Sequence, residues 1–87
     1  MYIVYSKDDC VMCDKAKQLL TERGVSFTVI SIVMEGAVEG QINREDFIKE
    51  FPGIRSIPYI KSPEEGLAFL TYDQLQGHLN KNSKVNF

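Results

Sequence analysis

Cys10 and Cys13 are the only cysteines in the chain, and Val11 and Met12 are all that separates them. Two sulfurs at this spacing can alternate between dithiol and disulfide, so the pair predicts redox chemistry by thiol–disulfide exchange. The attacking species in that exchange is the thiolate. An unperturbed cysteine, with a pKa of about 8.5, populates it only to a few per cent at neutral pH. Whatever activates one of these sulfurs must therefore come from where the fold puts it.

The flanking sequence says where that is. Tyr2 to Tyr5 is β-branched and aromatic and predicts a short strand, closed by Ser6-Lys7-Asp8-Asp9. From Val11 to Arg23 the pattern is helical. Met12, Cys13, Ala16, Leu19 and Leu20 share one face, and Asp14, Lys15, Lys17, Gln18, Thr21 and Glu22 the other. Gly24 supplies a left-handed stop. Cys10 is thereby expected at or just before the first turn of a helix, where unpaired N–H groups and the positive end of the dipole stabilise an anion by about 0.3–2 kcal/mol. Lys7 adds a positive charge, while Asp8 and Asp9 disfavour a thiolate. The carboxylates are expected in solvent, where they are screened, so the helix terminus should dominate. Cys13, one turn further on the inward face, is expected to remain a thiol until Cys10 forms a mixed disulfide, which Cys13 then resolves.

Phe27 to Val33 is nearly all apolar and predicts an interior strand. A Gly-punctuated loop follows, Glu35 to Gly40. Asn43 then caps a second helix with apolar Phe47, Ile48 and Phe51, ended by Pro52-Gly53. Ile57 to Ile60 and Leu67 to Leu70 predict a hairpin around Pro63-Glu64-Glu65-Gly66. Thr71 or Asp73 caps a last helix with Leu75 and Leu79 inward, and about 81–87 is a frayed tail. The order βαβ, α, ββα predicts one α/β domain over residues 1–87, with a right-handed parallel crossover and then an antiparallel pair.

Composition narrows the function further. A net charge of −2 with no Lys/Arg block argues against nucleic acid as a partner. No apolar run approaches the roughly 20 residues of a membrane span. The first residues read as a strand and not a signal peptide, so a reducing, cytoplasmic setting is expected, in which a structural disulfide does not persist. Two other readings of the cysteines stand beside the redox one. They could be inert core residues. They could also bind zinc, which needs four ligands; the chain adds only His78, in the last helix, so a complete site would need a dimer. His78 itself reads as a surface helix residue.

Tyr5 to Cys13 resembles the active-site segment of glutaredoxins, where a strand ends in Ser-Lys and runs into C-P-Y-C. Arg55-Ser56-Ile57-Pro58 resembles that family's R-T-V-P, and Tyr72-Asp73-Gln74-Leu75 the start of its last helix. The three segments occur in the family's order and cover residues 1 to about 80. The middle loop and the Tyr-Asp-Gln-Leu segment are most similar to small glutaredoxins of tailed bacteriophages. The resemblance implies a thioredoxin fold with a four-stranded mixed sheet flanked by three helices, and a cis Ile57-Pro58 bond. It also implies a glutathione or protein substrate lying along Lys7, Met12, Arg55, Ile57, Pro58, Asp73 and Gln74, with Cys10 and Cys13 catalytic. Ile57 would offer its backbone to an extended substrate as an added strand does.

The departures are specific. C-P-Y-C is Cys10-Val11-Met12-Cys13, the Gly-Gly before the last helix is Leu70-Thr71, and Asp73 replaces a Ser or Thr. Leu70 is expected to crowd a tripeptide that glycine admits, and the Asp73 carboxylate to repel the γ-glutamyl carboxylate of glutathione. The resemblance implies a monomer with no tightly bound cofactor, using glutathione as co-substrate. Its expected partners are protein disulfides such as ribonucleotide reductase, in the host cytoplasm if phage-encoded. Reduction by thioredoxin reductase is the alternative: Cys10-Val11-Met12-Cys13 is close to that group's C-V-Q-C, although its Trp-containing stretch is absent. An iron–sulfur binding module bridging two subunits and a purely structural adaptor are the non-enzymatic readings.

Overall fold

Side-chain alternation along the first strand builds two cores at once. A computed structural model describes residues 1–54 and 56–82, the last two by their backbone only. In β1 (Tyr2–Ser6), Tyr2 and Val4 point to one face of the sheet and Ile3 and Tyr5 to the other. On the first face α1 (Val11–Glu22) and α3 (Tyr72–Asn82) enclose Val4, Ala16, Leu20, Ile60 and Leu75, each fully buried. On the second face α2 (Arg44–Glu50) brings Phe47 onto Tyr5 and Tyr59. Phe51 completes this group, with ring centroids 5.0–6.3 Å apart, in the tilted and edge-on arrangements that aromatic quadrupoles favour.

Helices on both faces explain why β2 (Phe27–Val33) is apolar almost throughout: Phe27 and Val29 face α1 and α3, Ile30 and Ile32 face α2. β1 and β2 run parallel with Val4 opposite Val29. β4 (Tyr59–Ser62) pairs antiparallel with β1 on its other side, and β5 (Leu67–Phe69) with β4. Among the described residues, no helix is long and apolar enough to cross a membrane.

The sheet has five strands, in the order β3-β2-β1-β4-β5, where four were expected. The addition is β3 (Gln41–Asn43), which pairs parallel with Ser31–Val33 at the edge. The expected loop instead folds back on itself. Asn43 Oδ1 accepts from the Ala37 N–H, Gln41 Oε1 from the Val38 N–H, and Gly40, at φ +83°, sends its carbonyl to the Ser31 N–H. Asn43 does occupy the cap position of α2, but its side chain is spent on Ala37 and makes no capping bond. Of the apolar residues of α2, Phe47 is buried and Ile48 exposed.

Other boundaries move by one or two residues for local reasons. β4 begins at Tyr59 and not Ile57, because Pro58 lacks an N–H and the ladder starts with Tyr59 opposite Tyr5. The strand then continues into polar residues that have partners: Lys61 lies 5.0 Å from the Phe51 ring centroid, and the buried Ser62 hydroxyl donates to Glu65. β5 stops at Phe69. α1 ends one residue early in a Schellman turn, with the Val25 N–H on the Leu20 carbonyl, the Gly24 N–H on that of Thr21, and Gly24 at φ +70°. The backbone of α3 stays helical through Asn82, and residues 83–87 of the expected tail lie outside the described residues.

Glu65 ties the β4–β5 turn to both ends of the chain. Its Oε1 accepts from the Tyr2 hydroxyl and the Ser62 hydroxyl, both at 2.8 Å, and its Oε2 lies 3.4 Å from His78 Nε2 on α3. His78 is therefore a half-buried structural residue that also packs on Phe69, and not a free surface histidine. The Tyr2 bond, then that of Ser62, holds the Glu65 carboxyl below the usual carboxylate range. Burial, then the Glu65 bond, pushes Tyr2 up to about 12. A depressed carboxyl stabilises the fold above its unfolded pKa and ceases to do so as pH falls through the folded value. Glu65→Gln should thus melt below the native chain at pH 7, and the gap should close on titrating into acid below about pH 4. A thermal-unfolding series across that range checks this.

Candidate active site

The N-terminus of α1 is built around Cys10. Cys10 is the N-cap residue in extended conformation, φ −114° and ψ 103°, and its Sγ accepts from the Cys13 N–H at 3.2 Å. Its carbonyl takes the Asp14 N–H at 3.1 Å, the first bond of the helix. A sulfur in a position normally held by Ser, Thr, Asp or Asn does the same work with a larger atom. It also has a consequence those residues lack: a negative charge on Sγ meets an N–H already aimed at it.

The two sulfurs are joined in a disulfide, with Cα atoms 5.2 Å apart. They are unequal. Cys13 is fully buried in the first turn of α1, whereas Cys10 is half-buried at the cap position before it. Of the five residues expected on the inward face of α1, Cys13, Ala16, Leu19 and Leu20 are buried, but Met12 is 39% exposed. At N2 it leans out beside Cys10, a flexible apolar surface and not a core residue.

Ile57-Pro58 is a cis peptide, as the resemblance implies. Pro58 is buried and Ile57 half-buried, and the Ile57 carbonyl oxygen lies 4.0 Å from Cys10 Sγ. The same segment is tethered to the start of α3, because the Ser56 hydroxyl donates to the Leu70 carbonyl at 3.4 Å. The Leu70 N–H in turn donates to Gln74 Oε1 at 2.8 Å. Three chain segments far apart in sequence thus converge, and Ser56 is a positioning residue the sequence reading did not single out.

Thr71, and not Asp73, caps α3: its Oγ1 accepts from the Gln74 N–H at 3.1 Å. The Thr71-x-x-Gln74 spacing is a capping-box signature and was legible as such. Gln74 reaches back one residue further than that motif requires, to Leu70. Its carbonyl oxygen thereby fixes the Leu70 backbone, and its amide nitrogen remains a donor. Asp73 is exposed in the first turn of α3, and Leu70 is 43% exposed and not packed into the site. Lys7 is exposed on the loop after β1 and lines a cleft that it shares with Ile57. Arg55 lies outside the described residues.

The charges around Cys10 are mixed. Asp8 and Asp9 are exposed, and Asp14 pairs with Lys17 at 3.5 Å. Asp9 adopts a left-handed backbone at φ 55°, which Asn tolerates and Ala does not readily adopt. Asp9→Asn therefore removes the charge without moving the loop. It is expected to lower the pKa of the reduced Cys10 thiol, read as thiolate absorbance against pH; an unchanged or higher value would contradict the electrostatic account.

A fully buried sulfur behind a half-buried one on a helix N-terminus, with a backbone carbonyl beside the outer sulfur, is an arrangement for passing a disulfide inward. Comparison with known proteins agrees. The family model described as Glutaredoxin matches residues 2–62, from β1 through the end of β4 and including both cysteines and the cis proline. A search of curated proteins returned no match.

Proposed function

This chain belongs to the glutaredoxin family, and from that premise we propose that Cys10 and Cys13 reduce protein disulfides and glutathione mixed disulfides, with glutathione as the reductant. The Cys10 thiolate attacks one sulfur of the substrate disulfide; a mixed disulfide forms and the other substrate thiolate leaves and takes a proton. Cys13 then loses its proton and attacks Cys10 Sγ, which releases the second substrate thiolate. The substrate gains two electrons and two protons, and the enzyme is left with the Cys10–Cys13 disulfide. Two molecules of glutathione return it to the dithiol and leave as oxidised glutathione.

The observation that carries this reading is the inequality of the sulfurs: Cys10 at the cap with the Cys13 N–H on its Sγ, Cys13 fully buried behind it. Ile57 would pair its backbone with the substrate chain, Pro58 would pack beside the sulfurs, and Met12 would offer apolar contact. Lys7 and Arg55 would meet the carboxylates of glutathione. Asp73 and Gln74 would border its γ-glutamyl end. The phage-type resemblance makes ribonucleotide reductase the candidate protein substrate.

Coupled turnover of a small disulfide tests the reading. Glutathione with glutathione reductase and NADPH should sustain it; turnover only with thioredoxin reductase and NADPH would transfer the reading to the alternative redoxin class, for which the departures at Leu70-Thr71 and Asp73 speak. If Asp73 repels the glutathione carboxylate, Asp73→Ser should lower KM for glutathione by up to about fivefold, the range of one exposed charge pair, with kcat little changed.

A further inference from the structure

At Ile57, whose carbonyl lies beside Cys10, the surface opens into a cleft of about 900 Å³, at the upper end of the range of small-molecule sites. It lies between the loop after β1, the end of β2, α2 and the segment leading to Pro58, and Lys7, Ile32, Met34, Arg44, Ile48 and Ile57 are among its walls. Among the described residues, Met34 is 76% and Ile48 44% exposed there. Large apolar side chains left in water at the mouth of a cleft mark a surface that a partner covers.

Two observations say which partner. The first is continuity with the redox site, since Ile57 is both a wall of the cleft and the residue whose carbonyl lies 4.0 Å from Cys10 Sγ. A chain whose cysteine reaches Cys10 past Ile57 runs on into the cleft. The second is charge. Lys7 and Arg44 line it against one carboxylate, Asp8, in a chain of net charge −2, so the cleft is locally more basic than the rest of the molecule and complements an acidic segment. Glutathione has one residue on each side of its cysteine and no large apolar side chain, so it leaves Met34 and Ile48 unused.

We propose that this cleft receives the segment flanking the reactive cysteine of a protein disulfide substrate, and selects segments that carry a large apolar residue and a carboxylate near that cysteine. The proposal rests on the disulfide-exchange reading of Cys10 and Cys13.

Two synthetic peptides, each with one cysteine in mixed disulfide with glutathione, provide the test. One has Leu and Glu beside the cysteine, the other only Gly and Ser; hydroxyethyl disulfide is the small reference substrate. The native protein should reduce the Leu/Glu peptide with at least about tenfold higher kcat/KM, the effect of burying one large apolar side chain. Met34→Ser with Ile48→Ser should erase most of that preference and leave turnover of hydroxyethyl disulfide unchanged. Arg44→Glu, at the first position of α2 where an acidic residue suits the helix dipole, should shift preference toward a Leu/Lys peptide. Binding of fluorescently labelled peptides to the Cys10→Ser/Cys13→Ser protein is measured in parallel. Equal reduction of the two peptides by the native protein, or a preference that survives in the double-serine variant, overturns the cleft proposal while the redox reading stands. Failure to reduce any disulfide, with selective Leu/Glu peptide binding retained, overturns the redox reading and leaves the cleft as a peptide-binding surface; failure of both overturns both.

Discussion

Cys10→Ser should abolish disulfide reduction, with a loss of at least about a thousandfold, because a serine hydroxyl is not ionised at neutral pH and no other thiol reaches the cap position. Cys13→Ser should behave differently. Cys10 keeps its place as N-cap, so attack still occurs, but the mixed disulfide has no resolving sulfur behind it. The expected result is a stable adduct between the variant and one half of the substrate, visible by intact mass. Reduction of glutathione mixed disulfides should persist in part, since a second glutathione can release the first. Alkylation separates the two sulfurs in the reduced native protein: iodoacetamide at neutral pH should label Cys10 well before the buried Cys13, and faster than it labels free cysteine. If neither sulfur reacts faster than free cysteine, the helix terminus does not activate the thiol and the oxidoreductase reading fails.

The second large effect is on folding. Ile60 is fully buried in β4, opposite Val4 on one side and Phe69 on the other, so its side chain stands in the middle of the core that α1 and α3 cover. Ile60→Ala should cost about 2–5 kcal/mol, the transfer term plus an incompletely collapsed cavity. For 87 residues the whole stability is only about 4–13 kcal/mol. At about 4–8 °C per kcal/mol for a domain of this size, the melting temperature should fall by about 8–40 °C. Ile48→Ala is the control: Ile48 is 44% exposed on α2, and its truncation should change stability by about 0.5 kcal/mol or less. Equal losses in the two variants would mean that the core does not lie where β4 and α1 place it.

Long periodic segments were legible because their pattern is local. The helix from Val11, its glycine stop, the apolar run of β2 and the inward Leu75 and Leu79 all follow from spacing along a single element. What escaped was short or conditional. β3 has three residues and one apolar side chain, Ile42, with no period to read; it forms because the loop from Met34 to Gly40 turns back and lends its N–H groups to Asn43 and Gln41. The start of β4 was misplaced because the apolar Ile57-Pro58 reads as strand, while Pro58 offers no donor to the ladder. Met12 matched the inward face of α1 in periodicity, yet at the very start of the helix it remains 39% exposed.

The chain by itself determined the chemistry: two thiols three residues apart, between an apolar strand and an amphipathic helix, in segments whose order matches one redox family. Spacing and period are properties of adjacent residues, so they survive without any knowledge of the fold. Only the tertiary structure decided that the Ile57 carbonyl faces Cys10 although the two lie 47 positions apart in the chain, that Ser56 ties this segment to Leu70, and that Met34, Arg44 and Ile48 border one cleft. Those relations arise from which surfaces the sheet and helices bury against each other, and burial between distant segments has no signature in either segment alone.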